Sequence, residues 1–359
     1  MNPEKFSKSN EGPRRRTWLR KSIRALPWVC VLALSVWAVA ALYFDLPRFR
    51  LLGAIAYTAI IPSALFFVRG NGWRLAIVLA GFLIVLLWWL SIKPSNDGPW
   101  QADVAQTAWA EIDGDVVTIH NYRHCDYRDE FDYTCQWKTK TVRLSDLRGV
   151  DVSFINWGIP KIDHMIVSFH FAGDDYVAVS VEMRKEIGQT YSAIRGFFRQ
   201  YTLIYIFADE RDLIRLRTNF RTGERARLYR TKADADYSRR LFLQYLKRAN
   251  ELHQSAEWYN AVSSNCTTNV FAEMVAIGPL PAGISRFDPR ILFSGDADEM
   301  LYNAGYIAGN LPFPLLRAQA NIGAAAVAAD NSPYFSQLIR AGRAGFEPEP
   351  RLPTAQTAP

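Results

Sequence analysis

Cys266 stands in Ser264-Asn265-Cys266-Thr267-Thr268-Asn269, directly before the apolar, helix-like run Val270-Phe271-Ala272-Glu273-Met274-Val275-Ala276. A thiol in the first turn of a helix sits in positive potential, which lowers its pKa and favours the nucleophilic thiolate. About a hundred residues upstream, His164 opens the strand-like run His164-Met165-Ile166-Val167-Ser168-Phe169. An imidazole held beside such a thiol takes its proton and later returns it to a leaving group. Asn265 suits the N-cap of the helix. The first-turn N–H groups, with Asn265 and Thr267 among their residues, suit an oxyanion. Taken singly, each residue has a plainer reading: a small cysteine starting a core helix, and a strand histidine next to Asp163.

A third group must orient the ring. Tyr176 to Met183 alternates well enough to form a hairpin with the histidine strand across Gly173-Asp174-Asp175. Met183 or a neighbour then lies opposite His164, and the polar choices are Glu182 and Arg184. Glu182 is the better orienter because it accepts the ring N–H, but a one-residue change of register moves the assignment.

Further strands are expected at Val116–Tyr122, Thr139–Leu144, Asp151–Trp157 and Arg227–Arg230, with a strand pair at Thr202–Phe207 and Leu213–Thr218. Tyr191–Gln200 reads as a short helix. Asp236–Leu252 is the clearest helix, with Leu241, Phe242, Tyr245, Leu246, Ala249 and Leu252 on one face. The expected class is α+β, a mostly antiparallel sheet with helices segregated to one side, over residues 105–342. Residues 93–104, with Pro94, Gly98 and Pro99, read as a linker, and 343–359 as a disordered tail.

Three apolar runs crowd the first quarter: Ala25 to Leu46, Leu51 to Val68 and Leu75 to Ile92. Each approaches the ~20 residues needed to cross a bilayer. Three spans are expected, two plus a re-entrant segment being the alternative. Residues 1–24 hold Lys5, Lys8, Arg14, Arg15, Arg16, Arg20, Lys21 and Arg24, which by the positive-inside rule keep that end in the cytoplasm. Three spans then carry everything after Ile92 to the outside. The expectation is a multi-pass bacterial inner-membrane protein with a periplasmic C-terminal domain.

The chain of 359 residues has four cysteines and a net charge of +7. Cys30 falls in the first span. Cys125 and Cys135 flank a hairpin-like stretch and could pair in an oxidising compartment. A metal site fits less well, since His124 is the obvious third ligand and the spacing is not that of a zinc knuckle. No cofactor or metal is expected. Arg184, Lys185, Arg195, Arg211, Arg215, Arg217 and Arg221 make the middle of the domain basic, suited to lipid phosphates or simply to solvent. Nucleic acid is not an expected partner outside the cytoplasm, and no recognition module is present. A Gly-rich phosphate loop and a Ser-centred nucleophile elbow are both absent from the sequence.

Several segments resemble a known family in the right order: Val181-Glu182-Met183-Arg184-Lys185-Glu186, Tyr191-Ser192-Ala193-Ile194-Arg195-Gly196-Phe197-Phe198, Arg215-Leu216-Arg217-Thr218-Asn219, and Tyr259-Asn260 with Asn265-Cys266-Thr267-Thr268-Asn269. They look like the Lnb N-terminal periplasmic domain family, over roughly residues 105–340. The order of a strand histidine, a second strand and Asn-Cys at a helix start also resembles the permuted papain-like proteins of the lecithin:retinol acyltransferase type. The resemblance implies a thiol acyltransferase at the membrane. Cys266 would take an acyl chain from a phospholipid, His164 would act as base and acid, and the N-terminus of a lipoprotein would accept the chain. Tyr259, Asn260, Asn265, Thr267 and Arg184 would form the substrate or oxyanion region. The alternatives are a cysteine amidase acting on cell-wall peptides and a non-catalytic envelope domain.

Overall fold

The computed structural model describes residues 12–346, with side chains from Leu26 onward. Residues 1–11 of the basic N-terminal segment and 347–359 of the tail expected to be disordered lie outside them. The chain forms two compact units, 1–93 with Phe198–Gln200, and 94–197 with 201–359.

In the first unit, helices α1 (Gly12–Asp45), α2 (Arg50–Phe67) and α3 (Asn71–Ser91) follow one another. Stretches of 20, 18 and 21 residues in them are long and apolar enough to cross a membrane, with mean hydropathies of 2.0, 1.6 and 2.2. Leu32, Leu51 and Ile84 point outward, as apolar side chains do when lipid is the solvent. Ala38 and Ala41 are fully buried between helices, where small residues let backbones approach closely.

The second unit is α+β, and its first α-helix is the short α4 (Glu210–Arg215). Its strands are β1 (Trp109–Asp113), β2 (Val116–Tyr127), β3 (Tyr133–Arg143), β4 (Leu147–Asn156), β5 (Asp163–Phe171), β6 (Asp175–Arg184), β7 (Thr202–Ala208) and β8 (Arg225–Arg230). They form one sheet in the order β1-β2-β7-β6-β5-β4-β8, with β3 on β2. Every pairing is antiparallel except a single parallel bridge between β2 and β7, Arg123 to Ala208.

Two cores lie on the two faces of this sheet. On one, Phe169, Val179 and Tyr205 pack with Phe242 and Tyr245 of α5 (Ala235–Gln254) and Phe271 of α6 (Cys266–Ile277). On the other, Ile166, Ala178 and Ile204 pack with Leu213, Ile214, Ile322, Ala326, Phe335 and Ile339. Helices therefore cover both faces, not one. The strands require it: β7 is buried at every position, and the interior of β5 and β6 is apolar at both parities. A sheet apolar on both sides must be covered on both sides.

Two expected elements differ. Leu213–Thr218 is not a strand. It falls in a helical turn, Glu210–Arg215, followed by a π-helical turn, Leu216–Phe220. The turn buries Glu210 and Asp212, which are matched by forked ion pairs from Arg340 and Arg123. Partners this distant in the chain leave no local signal. The Tyr191–Gln200 stretch holds only a 3₁₀ turn at Arg195–Phe197. The Gly196 carbonyl accepts from Ala261 N–H at 2.8 Å, and a Cβ on Gly196 would come within 3.2 Å of Ala261 Cβ. This backbone makes one short turn and then bonds across the fold, so no longer helix forms.

Candidate active site

The β5–β6 hairpin sets the first relationship. Its ladder pairs Ile166 with Ser180 and Val167 with Val179, and the same register carried on places His164 opposite Glu182. Glu182 Oε1 lies 3.2 Å from His164 Nε2. Ser180, two residues back on the same face, bridges them: its Oγ is 2.7 Å from His164 Nε2 and donates to Glu182 Oε1 at 2.7 Å. With Nε2 so engaged, Nδ1 is the nitrogen left for the thiol, and His164 and Cys266 lie close enough to shift each other's charge state.

Helix α6 sets the second. Asn265 caps it, its side-chain oxygen accepting from Thr267 N at 3.0 Å and Thr268 N at 2.9 Å, while Thr268 Oγ1 accepts from Asn265 N at 2.8 Å. This reciprocal capping box fixes where the helix begins, and so where the sulfur points. Asn260 fixes the approach. Its Oδ1 accepts from Val262 N, Ser263 N and Ser263 Oγ, and its backbone pairs with Ser264 in both directions.

The electrostatics follow from this contact. Burial alone would lower the His164 pKa, but the charges of Glu182 and Cys266 outweigh it and raise the ring to about 9. Burial alone would raise the Cys266 thiol, but His164 outweighs it and the thiol falls below its ordinary value. Burial likewise disfavours the Glu182 carboxylate, yet His164 and Arg217 hold it well below the usual range. Such a set can keep a thiolate–imidazolium pair, with the carboxylate orienting the ring.

The first-turn N–H groups are less available than the sequence suggests. Those of Thr267 and Thr268 are spent on Asn265, and that of Asn269 on the Asn265 carbonyl. The Cys266 N–H is the one without a partner among the described residues. Tyr259 is buried close to the sulfur; burial, then Cys266, push its hydroxyl pKa well above the ordinary value, so it keeps its proton. The Cys266 N–H is thus the first-turn donor left, with the Thr267 hydroxyl 3.8 Å from the sulfur and the protonated Tyr259 hydroxyl within electrostatic reach of it.

Three expected site residues have other duties. Arg184 is not beside the thiol. It is 2% exposed, donates to the carbonyls of Val104 and Ala105 at 2.8 and 2.6 Å, and stacks on Trp100 at 4.4 Å. It fastens residues 96–105 to the domain, because a buried guanidinium must spend its donors. Asn260 shapes the turn, and the Thr267 backbone completes the cap, its hydroxyl lying 3.8 Å from the sulfur.

Four residues around the site lie beyond the sequence assignment. Ser180 was legible as the polar residue two before Glu182, on the same strand face. Trp157 stacks on His164 at 6.0 Å, and Tyr191 meets Trp157 edge-on. Arg217 donates to Glu182 Oε1 at 2.9 Å from a segment misread as a strand. Elsewhere, Cys125 and Cys135 face each other on β2 and β3 and are joined by a disulfide.

A cavity of about 770 Å³ opens beside Glu182, with Met183, Trp157, Tyr191, Leu216 and Tyr133 in its wall. Four cations also line it. Arg123, Arg217 and Arg221 are ion-paired, and Lys185 has no ion-pair partner among the described residues.

Fold and site together define a class: a membrane-helix unit joined to an α+β domain in which cysteine, histidine and glutamate converge. Residues 133–294 match the family model of the Lnb N-terminal periplasmic domain, the family the sequence motifs resemble. With the three apolar helices, the chain is a membrane protein with a periplasmic domain. No curated protein and no solved structure matches it.

Proposed function

We propose that this protein is a membrane-anchored periplasmic cysteine acyltransferase, taking an acyl chain from a phospholipid and passing it to the N-terminal amine of a lipoprotein. The observation that carries the reading is the pairing of charge between Cys266 and His164, whose ring is held at Nε2 by Ser180 and Glu182. It is the arrangement a thiol nucleophile needs.

The steps balance with protein groups. The Cys266 thiolate adds to the ester carbonyl, and the oxyanion is met by Cys266 N–H and Tyr259. The C–O bond breaks, His164 gives its proton to the departing alkoxide, and a thioester remains. The amine then adds to the thioester and His164 takes its proton. The C–S bond breaks, leaving an amide and the original thiolate–imidazolium pair.

The cavity favours a lipid donor over a cell-wall peptide. Its volume is within the usual range for small-molecule sites, its wall is largely apolar and aromatic, and Lys185 offers a cation to a headgroup phosphate. Three helices long and apolar enough to cross a membrane suit a protein whose acyl donor is a lipid. Incubation with phospholipid vesicles is expected to leave a hydroxylamine-labile acyl mass on Cys266 in the wild type and none in Cys266→Ala. No adduct, together with release of peptides from peptidoglycan that depends on Cys266, would move the assignment to an amidase.

A further inference from the structure

Glu182 is the charge that holds His164, and burial works against it. Two cations oppose burial. His164 does so only while protonated, and in the proposed reaction it gives its proton away. Arg217 does so throughout.

Arg217 lies in the π-helical turn Leu216–Phe220, its side chain 4% exposed. Single π turns inside helices recur at functional sites, because the extra residue re-aims a side chain. Here the turn is pinned on both sides. Arg221 N–H donates to the Leu216 carbonyl at 3.0 Å, and Asn219 Nδ2 donates to the Ala326 carbonyl at 3.2 Å. The guanidinium forks: Nη2 donates to Glu182 Oε1 at 2.9 Å and Nη1 to Glu224 Oε1 at 3.3 Å. Arg221 Nη1 reaches the same Glu224 oxygen at 3.4 Å, and its Nε lies 3.2 Å from Glu130 at the tip of the β2–β3 hairpin. A chain of alternating charge thus runs from the hairpin tip to the thiol: Glu130, Arg221, Glu224, Arg217, Glu182, His164, Cys266.

We propose that Arg217 is a positioning residue, which fixes the Glu182 carboxylate against His164 and keeps it ionised through the whole reaction cycle. The inference rests on the reading of Cys266 and His164 as the reacting pair. It gives the basic segment Arg215-Leu216-Arg217 a role inside the site, distinct from a lipid-facing or solvated surface. The groups that face Glu182 are His164 from β5, Ser180 on its own strand, Arg217 from the π turn, and Tyr259 and Cys266 around the start of α6, with Arg221 and Glu224 behind Arg217. Without Arg217, Glu182 takes up a proton at higher pH. Below that pH the imidazolium loses its partner, and Cys266 holds its proton longer.

The test is the rate of Cys266 alkylation by iodoacetamide against pH in the full-length, detergent-solubilised protein, resolved from Cys30 by peptide mass. The wild-type midpoint is expected below the ~8.5 of a free thiol. Arg217→Met should move it up by about one unit. Arg217→Lys keeps the charge but cannot bridge both carboxylates, and should move it by less. Glu182→Gln should also raise the midpoint, and adding Arg217→Met to it should change nothing more, since the two act as one. Arg217→Met/Glu224→Gln removes the orphaned carboxylate and serves if the single variant does not fold. A folded Arg217 variant with the wild-type midpoint, or effects that add in the Glu182→Gln background, would overturn the inference. A wild-type midpoint at the free-thiol value would instead overturn the reading of Cys266 itself.

Discussion

His164 and Glu182 lie on neighbouring strands with Nε2 and Oε1 3.2 Å apart, and the Ser180 hydroxyl touches both atoms. A carboxylate in that position does two things at once. It holds the ring through Nε2 so that the opposite nitrogen is left for Cys266, and it stabilises the charged ring that a thiolate needs beside it.

Glu182→Gln keeps an acceptor near the ring but removes the charge. The His164 pKa should fall and the Cys266 thiol should rise. Cys266-dependent acyl transfer at neutral pH should drop about 10²- to 10⁴-fold, the range for loss of positioned acid–base catalysis. Steady-state transfer to an amine acceptor measures it, and a loss below tenfold would refute an orienting role for the carboxylate.

Acyl transfer should follow a bell-shaped pH profile. The lowered Cys266 thiol supplies thiolate below the ordinary thiol range, which sets the acid limb. The raised His164 loses its proton near pH 9, so the leaving group is no longer protonated and the alkaline limb begins there. The two limbs belong to the coupled pair, not to either residue alone. Linkage gives the same sign for His164 in stability. Its contribution is complete below the ordinary histidine value of ~6.5 and is lost as pH rises through about 9. The difference in melting temperature between wild type and His164→Ala should therefore shrink over that window.

Asn265→Ala should cost about 1 kcal/mol, the usual worth of an N-cap, because Thr267 and Thr268 N–H both lose their acceptor. Denaturant unfolding of the wild type and the variant measures it. Since the cap also sets the first turn, Cys266 alkylation should slow in the same variant. An unchanged rate would separate the cap from the thiol.

Breaking the Cys125–Cys135 bridge should cost about 2–3 kcal/mol, as expected for a loop closed across a sequence separation of 10. Tyr127 and Tyr133, just inside the hairpin tip, also line the cavity. The Cys125→Ser/Cys135→Ser variant should therefore bind a lipid analogue more weakly, as well as melting earlier. A lower melting temperature with unchanged lipid binding would mean that the hairpin does not shape the cavity.

Ile187 is 73% exposed and lines the cavity, so a larger side chain fits there without disturbing the core. Ile187→Trp should lower kcat/KM for long-chain donors at least several-fold and leave acylation by a short-chain activated ester unchanged. Equal loss with both donors would argue against an acyl chain in this cavity.

The apolar runs of the first quarter, the alternation of β5 and β6 and the amphipathic face of α5 were legible because each is a local pattern. So was the N-cap, since Asn265 and Thr268 stand three residues apart before an apolar run. Leu213–Thr218 differs because Leu213-Ile214-Arg215-Leu216-Arg217-Thr218 mixes apolar and polar residues over too short a span to separate a strand from a buried helical turn. Its identity depends on Arg123 and Arg340, which neutralise Asp212 and Glu210 from far away in the chain. Arg184 was misplaced for a related reason. Its strand position put it two residues from Glu182, but its guanidinium turned to the carbonyls of Val104 and Ala105.

By itself the sequence determined the apolar helices, the antiparallel α+β class and the two residues able to do thiol chemistry. These depend on composition and short-range periodicity, which the chain carries in order. Only the tertiary structure decided the β5–β6 register that puts Glu182 across from His164, the π turn that brings Arg217 to Glu182, and the cavity beside them. Each of those depends on which distant segments pack together, and packing is settled by the whole core at once, not by any stretch of neighbouring residues.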